Sequence, residues 1–410
     1  MGLCTAAAAT IVTARDLGAQ GRGVLVLYLT VASFSLLVSS LGVNTSCRLL
    51  LVSADRPVSL NDFLGLCLVL GAGQALLCSA LGAVLLPLVG VGVNLDGVLL
   101  LALLGAGLFG QYVMFDALNA YGLITTAAAI QALVGAGQLV AVLGLAALDV
   151  RTAPPFVLVL AVGGLVQVGV SLVALRPLHL GLRPSRDAAS WRRLVRAGLP
   201  AVAVNMGQVL TFRIDRYLVG LFLGPAAVGV YSVASTAPEL LRLPTMALGQ
   251  PIFHRLASGS ARLDDFRRGR AVCLLTVAGL AAAMAAVAPI AVRTVFGPEF
   301  SGAVTPMRIL LLGEMGIALY YIDGSSLFGL GRIADVALAS AAGLVVVTAG
   351  DLVLLPTWGI AGAAWASVPA YTAMGVITYG YLRRHAADTP TAEPPPTSTL
   401  EVESWRRLDA

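Results

Sequence analysis

FVLVLAVGGLVQVGVSLVALRPLHLGLRPSRDAASWRRLVR, residues 156–196, sets the terms on which the whole chain is read. Its first part, 156–175, carries no charge, and about 20 consecutive apolar residues are what a helix needs to cross the hydrocarbon core of a bilayer. Its second part holds Arg176, Arg183, Arg186, Arg192, Arg193 and Arg196. An uncharged run of membrane-spanning length that ends in an arginine cluster is the mark of a helix emerging on the cytoplasmic side.

The same alternation extends in both directions. Apolar runs that meet or approach the spanning length occupy 24–43, 63–89, 97–118, 123–148, 156–175, 198–222, 226–250, 271–296, 304–329, 333–355 and 359–382. A shorter run, 3–14, precedes them and lacks the basic flank of a signal peptide. Read as a truncated first helix, it brings the expected count to twelve. Of the 410 residues 58% are hydrophobic and 11% charged, where a soluble domain carries roughly a quarter charged residues. The fold class expected is therefore all-α and polytopic, in a membrane.

Arginine placement orients the spans. Arg48 and Arg56, the 176–196 cluster, Arg255 to Arg270, Arg332 and the C-terminal arginines fall on one side. Only Arg15, Arg22, Arg151 and Arg293 fall on the other. This bias puts both termini in the cytoplasm of a cell with the chain in its plasma membrane. The segment 183–196, with Trp191, reads as interfacial. The proline- and threonine-rich stretch from 383 to 410 reads as a disordered cytoplasmic tail.

Net charge is +5, and every basic residue is arginine. The absence of lysine removes a Walker-A phosphate loop and a pyridoxal Schiff base from the chemistry open to this chain. Because the arginines cluster between apolar runs, no nucleic-acid partner is expected. Cys4, Cys47, Cys67, Cys78 and Cys273 stand singly, and His179, His254 and His385 fall in loops or the tail. Neither set has metal-ligand spacing, so no metal and no cofactor are expected.

Two sequence echoes divide the chain. Leu17-Gly18-x-x-x-x-Gly23-Val24 recurs as Leu223-Gly224-x-x-x-x-Gly229-Val230, and Leu118-x-x-x-Gly122-x-Ile124 recurs as Leu327-x-x-x-Gly331-x-Ile333. Both offsets are about half the chain length. They predict an N-terminal lobe over 1–175, a linker over 176–196 and a C-terminal lobe over 197–382. Paired repeats of this kind are a common basis for alternating access in transporters.

Ionisable groups inside spans are costly unless they meet a cavity or a partner. The seventh span is the richest. Asn205, Gln208, Phe212, Asp215 and Arg216 share one face at helical spacing, with Arg213 beside them. Arg213 and Arg216 suit a phosphate, which guanidinium grips bidentately; an Asp215–Arg213 or Asp215–Arg216 structural pair accounts for the pattern equally well. Arg308 and Asp116 complete the set of cavity candidates. Glu239 and Glu314 are candidates for ion coupling, although Glu239 is also spaced to neutralise Arg242 at i,i+3.

The stretch 212–256, with Asp215, Leu223-Gly224, Gly229-Val230-Tyr231, Pro244 and Pro251, resembles the polysaccharide-export and flippase branch of the multidrug/oligosaccharidyl-lipid/polysaccharide exporter superfamily. Residues 296–313, Leu330-Gly331-Arg332 and the block 356–364 resemble it too. The resemblance implies a V-shaped pair of six-helix bundles around a central cavity, no nucleotide site, and no enzymatic activity. It implies movement of polyprenyl-pyrophosphate-linked oligosaccharides or related precursors, with membrane lipids and polysaccharide-assembly proteins as further partners. Two other readings compete: a drug or cation antiporter of the same superfamily, and a polytopic glycosyltransferase or polymerase. Asp264-Asp265, the one acidic pair outside the spans, sits in an arginine-rich loop and reads most simply as a solvated turn.

Overall fold

The computed structural model describes residues 2–51, 58–176, 183–257 and 267–388. Helices α1 (Gly2–Ser39), α2 (Val43–Leu50), α3 (Leu60–Leu88), α4 (Leu95–Ala120), α5 (Ile124–Ala147) and α6 (Ala153–Leu175) come first. They are followed by α7 (Ala188–Thr211), α8 (Ile214–Leu223), α9 (Pro225–Ala257) and α10 (Arg267–Ala291). A π turn (Val292–Phe296) and a 3-10 turn (Pro298–Ala303) lead into α11 (Val304–Gly329) and α12 (Ile333–Asp388). No strand occurs among the described residues.

Eight helices are long and apolar enough to cross a membrane, and the chain is a multi-pass membrane protein. The expected twelve apolar runs differ from these eight for two reasons. First, α1 and α12 are each broken inside, at Gly18 (φ 63°) and Gly359 (φ 58°). Second, α7, α8 and α9 are not among the eight, and these carry the charges of the seventh and eighth runs.

Local chemistry moves several boundaries. The first helix runs through Arg15 instead of ending before it. The Arg15 guanidinium donates to the carbonyls of Thr294 and of Val295, the latter at 2.7 Å. These carbonyls close the π turn, where chain-end acceptors lack helical partners. Helix α7 starts at Ala188, ten residues before the expected span, because Asp187 caps it. The Asp187 carboxylate accepts the N–H groups of Ala189 and Ser190 at 3.1 Å, the usual role of aspartate at a helix start. These bonds and one from the Ser190 hydroxyl, the strongest of the set, hold the Asp187 carboxyl below its ordinary pKa.

The segment before that cap is docked on α3. The Arg183 N–H donates to Asn61 Oδ1 and the Ser185 N–H to the Asn61 carbonyl, each at 3.0 Å. Trp191 Nε1 donates to the Asp62 carbonyl at 2.9 Å. Within the segment expected to be interfacial, 183–196, the indole hydrogen bond therefore goes to a protein carbonyl. Helix α12 likewise continues to Asp388, past the expected start of the tail at 383; 389–410, like the Asp264-Asp265 pair and His179, lies outside the described residues. His254 and His385 lie on α9 and α12, not in loops.

The sequence echoes correspond to matched backbone breaks. Left-handed backbone occurs at Gly18 and Gly224, Gly90 and Gly297, Gly122 and Gly331, and Asp149 and Gly359. Members of each pair stand about half the chain length apart. In the first echo the glycines also meet. A Cβ at Gly23 would overlap the Pro225 carbonyl, and one at Gly229 would overlap the Ala19 carbonyl. The two copies of the motif therefore cross each other backbone to backbone, each glycine accommodating the partner's chain.

That crossing packs α1 on α9 at one end of the molecule. One apolar cluster there joins Leu25, Leu27, Leu86, Leu101 and Phe156 to Tyr217, Val228, Leu310 and Leu355. At the other end α2 packs on α7, and Gly42 and Gly198 leave each other no room for a Cβ. These two contacts flank the middle of the helices, where the polar side chains lie.

Candidate functional site

The middle is a seam of charged side chains from α8, α9 and α11. Helix α7 ends at Thr211, and Arg213 opens α8 with non-helical φ and ψ of −135° and −14°. The expected single helical face through Asn205, Gln208, Phe212, Asp215 and Arg216 is therefore broken in two. The break swings Asp215 and Arg216 into the protein, where they are 3% and 8% exposed.

Asp215 forms no ion pair with the Arg213 or Arg216 guanidinium. Its carboxylate accepts the Arg216 backbone N–H and the Tyr231 hydroxyl, both at 2.7 Å. It sits in the first turn of α8, where the helix dipole favours negative charge. The Arg216 guanidinium pairs with Glu239 and donates to the Ser235 hydroxyl at 3.0 Å. Glu239 thus serves Arg216 and not Arg242, correcting the i,i+3 expectation. Arg242 reaches instead across to Glu314 on α11, with three contacts between 3.0 and 3.3 Å. Its guanidinium also lies 4.3 Å from the Phe212 ring centroid and 5.6 Å from that of Tyr371, a favourable cation–π geometry.

The remaining expected residues fall as follows. Gln208 donates to the Tyr321 hydroxyl at 2.7 Å, and Asn205 is half-buried on α7. Asp116 lies away from the seam, paired with Arg48 of α2 at 3.0 Å. Arg308 is exposed and donates to the Ala285 carbonyl at 2.9 Å, so it is not gathered with the others. Arg213 is half-buried, within electrostatic reach of Arg216, Glu239, Asp215 and Arg242. Among the described residues its guanidinium has no hydrogen-bond partner. Cys47, Cys67, Cys78 and Cys273 are buried free thiols, and no cluster of metal-ligating side chains is found among the described residues.

Two residues outside the expected set belong here. Arg22, expected in an outer loop, lies on α1 beyond the Gly18 break. It donates to three hydroxyls, at 2.7 Å to Thr13, 3.4 Å to Ser232 and 3.5 Å to Thr10. It lines a cavity of about 560 Å³ among α1, α4, α5 and α6, together with Thr10, Thr13, Gln111, Gln131 and Gln138. Among the described residues no carboxylate lines that cavity. Arg22 is also within electrostatic reach of Arg216 and Glu239, so cavity and seam are neighbours. The spacing of Thr10, Thr13 and Arg22 does not reveal this cluster, because the break at Gly18 intervenes.

The second is Asp351 on α12, completely buried, with neither carboxylate oxygen hydrogen-bonded among the described residues. It is close enough to Asp215 and Tyr231 to interact electrostatically. Here a sequence signal existed: a carboxylate inside the apolar run 333–355 is a functional candidate by the rule applied to the other spans.

This geometry can be set beside known proteins. A sequence-family model described as "Polysaccharide biosynthesis protein" matches residues 135–305. No curated protein matches the chain in sequence. Among solved structures, an inward-facing multidrug resistance MATE family transporter of the MOP superfamily superposes with a TM-score of 0.75 at 14% identity, over 95% of this chain and 96% of that one. The lipid II flippase MurJ, in an inward closed conformation, superposes with a TM-score of 0.74 at 10% identity, over 93% and 87%. A MOP superfamily transporter from Pyrococcus furiosus, described by the reverse polarity of its binding pocket, gives 0.66 at 14% identity, over 94% and 93%. The fold of this chain is MATE-like.

Proposed function

We propose that this protein is a flippase that moves a polyprenyl-diphosphate-linked oligosaccharide, or a related polysaccharide precursor, across the plasma membrane by alternating access. The observation that carries the reading is the cavity at Arg22. A guanidinium held only by neutral hydroxyls keeps its charge for a ligand, and it matches phosphate oxygens in geometry as well as sign. The surrounding threonine hydroxyls and glutamine amides offer both donors and acceptors, which suits a sugar.

The polysaccharide-biosynthesis match over 135–305 and the MurJ-like fold support the same conclusion. The likeness to MATE transporters favours a drug antiporter as the second reading. A site for cationic drugs calls for an acidic lining, however, and among the described residues this cavity is lined by arginine and by no acid. On the proposed reading the chain transports and does not catalyse. The same reading has both termini in the cytoplasm, in keeping with the arginine bias, where polysaccharide-assembly enzymes would supply the substrate.

Coupling to an ion is part of the proposal. Glu239 and Glu314, the expected candidates, are each committed to a guanidinium. Asp351 has no such partner and lies near Asp215. A buried carboxyl with no hydrogen-bond partner among the described residues, within electrostatic reach of a second carboxyl, is a place for a proton or a monovalent cation to bind and leave. Asp351 therefore takes the coupling role in this scheme.

The test is flipping of a fluorescent polyprenyl-diphosphate sugar in proteoliposomes, read by accessibility to a membrane-impermeant quencher. Arg22→Ala is expected to slow flipping by about tenfold or more, the loss of one or two charge-assisted hydrogen bonds. Unchanged flipping in that variant, or export of a cationic dye with no flipping in the native chain, would rule the reading out.

A further inference from the structure

We propose that the Arg22 cavity opens sideways to the lipid between α5 and α6, with Gln138 over Gly163 as the gate, and that the α5/α6 groove outside holds the prenyl chain of the same substrate. The inference rests on the flippase reading and adds to it the route by which head and tail are parted.

The groove has a volume of about 530 Å³ and is lined almost wholly by aliphatic side chains of α5 and α6. Leu133 and Val162 on its walls are 72% and 45% exposed, toward what is lipid in the membrane. Gln138 lines both this groove and the Arg22 cavity, so its side chain is the wall the two share. On α5, Gln131, Gly135, Gln138 and Val142 follow at helical spacing and face the cavity, which places Gln138 at the edge of that face.

The wall is thin. The Gln138 amide lies over Gly163 so closely that no Cβ fits there. Its hydrogen bond across to α6 is a 3.3 Å contact with the Leu160 carbonyl. A rotamer change of one side chain, of the sort that takes nanoseconds in accessible residues, would join the two spaces. Helix α5 is also loosely held: Ala127, Ile130 and Val142 are its buried residues. A polyprenyl diphosphate has the matching division, a doubly charged head for Arg22 and an aliphatic chain for the groove.

A second lipid-facing groove of about 400 Å³ lies among α1, α9 and α10, lined by Ile11, Leu240 and Met284. It shares no lining residue with the cavity. The two grooves therefore give opposite outcomes in one experiment.

Two probes are applied to the full chain in nanodiscs: inorganic pyrophosphate, and geranylgeranyl diphosphate carrying a benzophenone at the chain end. The photo-adduct is expected on α5 or α6. Val162→Trp and Leu133→Trp, which fill the groove, are expected to weaken binding of the prenyl probe about tenfold, or about 1.4 kcal/mol. Both should leave pyrophosphate binding within about twofold, and Leu76→Trp, on an exposed position of α3, should change neither. An adduct at Ile11 or Met284, or groove variants that bind the prenyl probe normally while Arg22→Ala does not, overturns the α5/α6 route and leaves the flippase reading standing. Absence of Arg22-dependent binding of either probe overturns both.

Discussion

Four arginines sit in or beside the centre of this molecule, and their partners divide them into two kinds. Arg216 and Arg242 are neutralised by Glu239 and Glu314, while Arg22 is held by hydroxyls and Arg213 by no hydrogen bond. Removing one member of a buried pair leaves the other charge uncompensated, at a cost of about 3–5 kcal/mol. Glu314→Ala is therefore expected to lower the thermal unfolding temperature in detergent markedly. The double variant Arg242→Met with Glu314→Leu should recover most of that loss. If Glu314→Ala instead melts like the native chain, the pair is not closed in the folded state. Arg213→Ala, which breaks no pair, should leave stability nearly unchanged in the same assay.

The helices show how sequence motifs become mechanical parts. The glycines of the repeated Leu-Gly-x-x-x-x-Gly-Val motif have two duties. Gly18 and Gly224 take left-handed backbone that breaks the chain direction. Gly23 and Gly229 let the two copies cross in contact. Filling the crossing should act on the closed arrangement alone. Gly229→Val is expected to overpack it by about 1–3 kcal/mol and so to shift the equilibrium toward separation of α1 from α9, about tenfold per 1.4 kcal/mol. Spin-label distances between α1 and α9 measure this, and an unchanged distance distribution counts against the crossing as the moving joint. Helix α7 offers a pH readout at its start. The Asp187 carboxyl is depressed by the hydrogen bonds it accepts, so its contribution is present at neutral pH and fades as pH falls through the acidic carboxylate range. The protection of the amides at residues 188–191, taken relative to their intrinsic exchange rates, should fall over that range.

At the scale of the whole molecule, α1 meets α9 at one end and α2 meets α7 at the other, with the polar side chains between. The arrangement calls for an energy source that favours its opening in one direction. Asp351→Asn tests the proposed source. The variant should bind the diphosphate probe normally, yet lose the dependence of flipping on an imposed proton or sodium gradient. Gradient-dependent flipping at native rates in Asp351→Asn would remove that carboxyl from the coupling scheme, while leaving the Arg22 cavity as the binding site.

Apolar run length and arginine placement determined the class of this protein from the sequence, because the bilayer imposes one rule on every span and that rule acts locally. The repeat was legible too, since its turns need left-handed backbone wherever they occur and glycine supplies it. Partner choice was not legible. Glu239 with Arg216, Arg242 with Glu314, and Arg22 among hydroxyls are set by which helices meet, and by breaks at Gly18 and Phe212–Arg213 that end the helical periodicity a sequence reading depends on. Whether a buried charge is neutralised or left open for a ligand depends on distances between segments remote in the chain, and tertiary packing alone decided those.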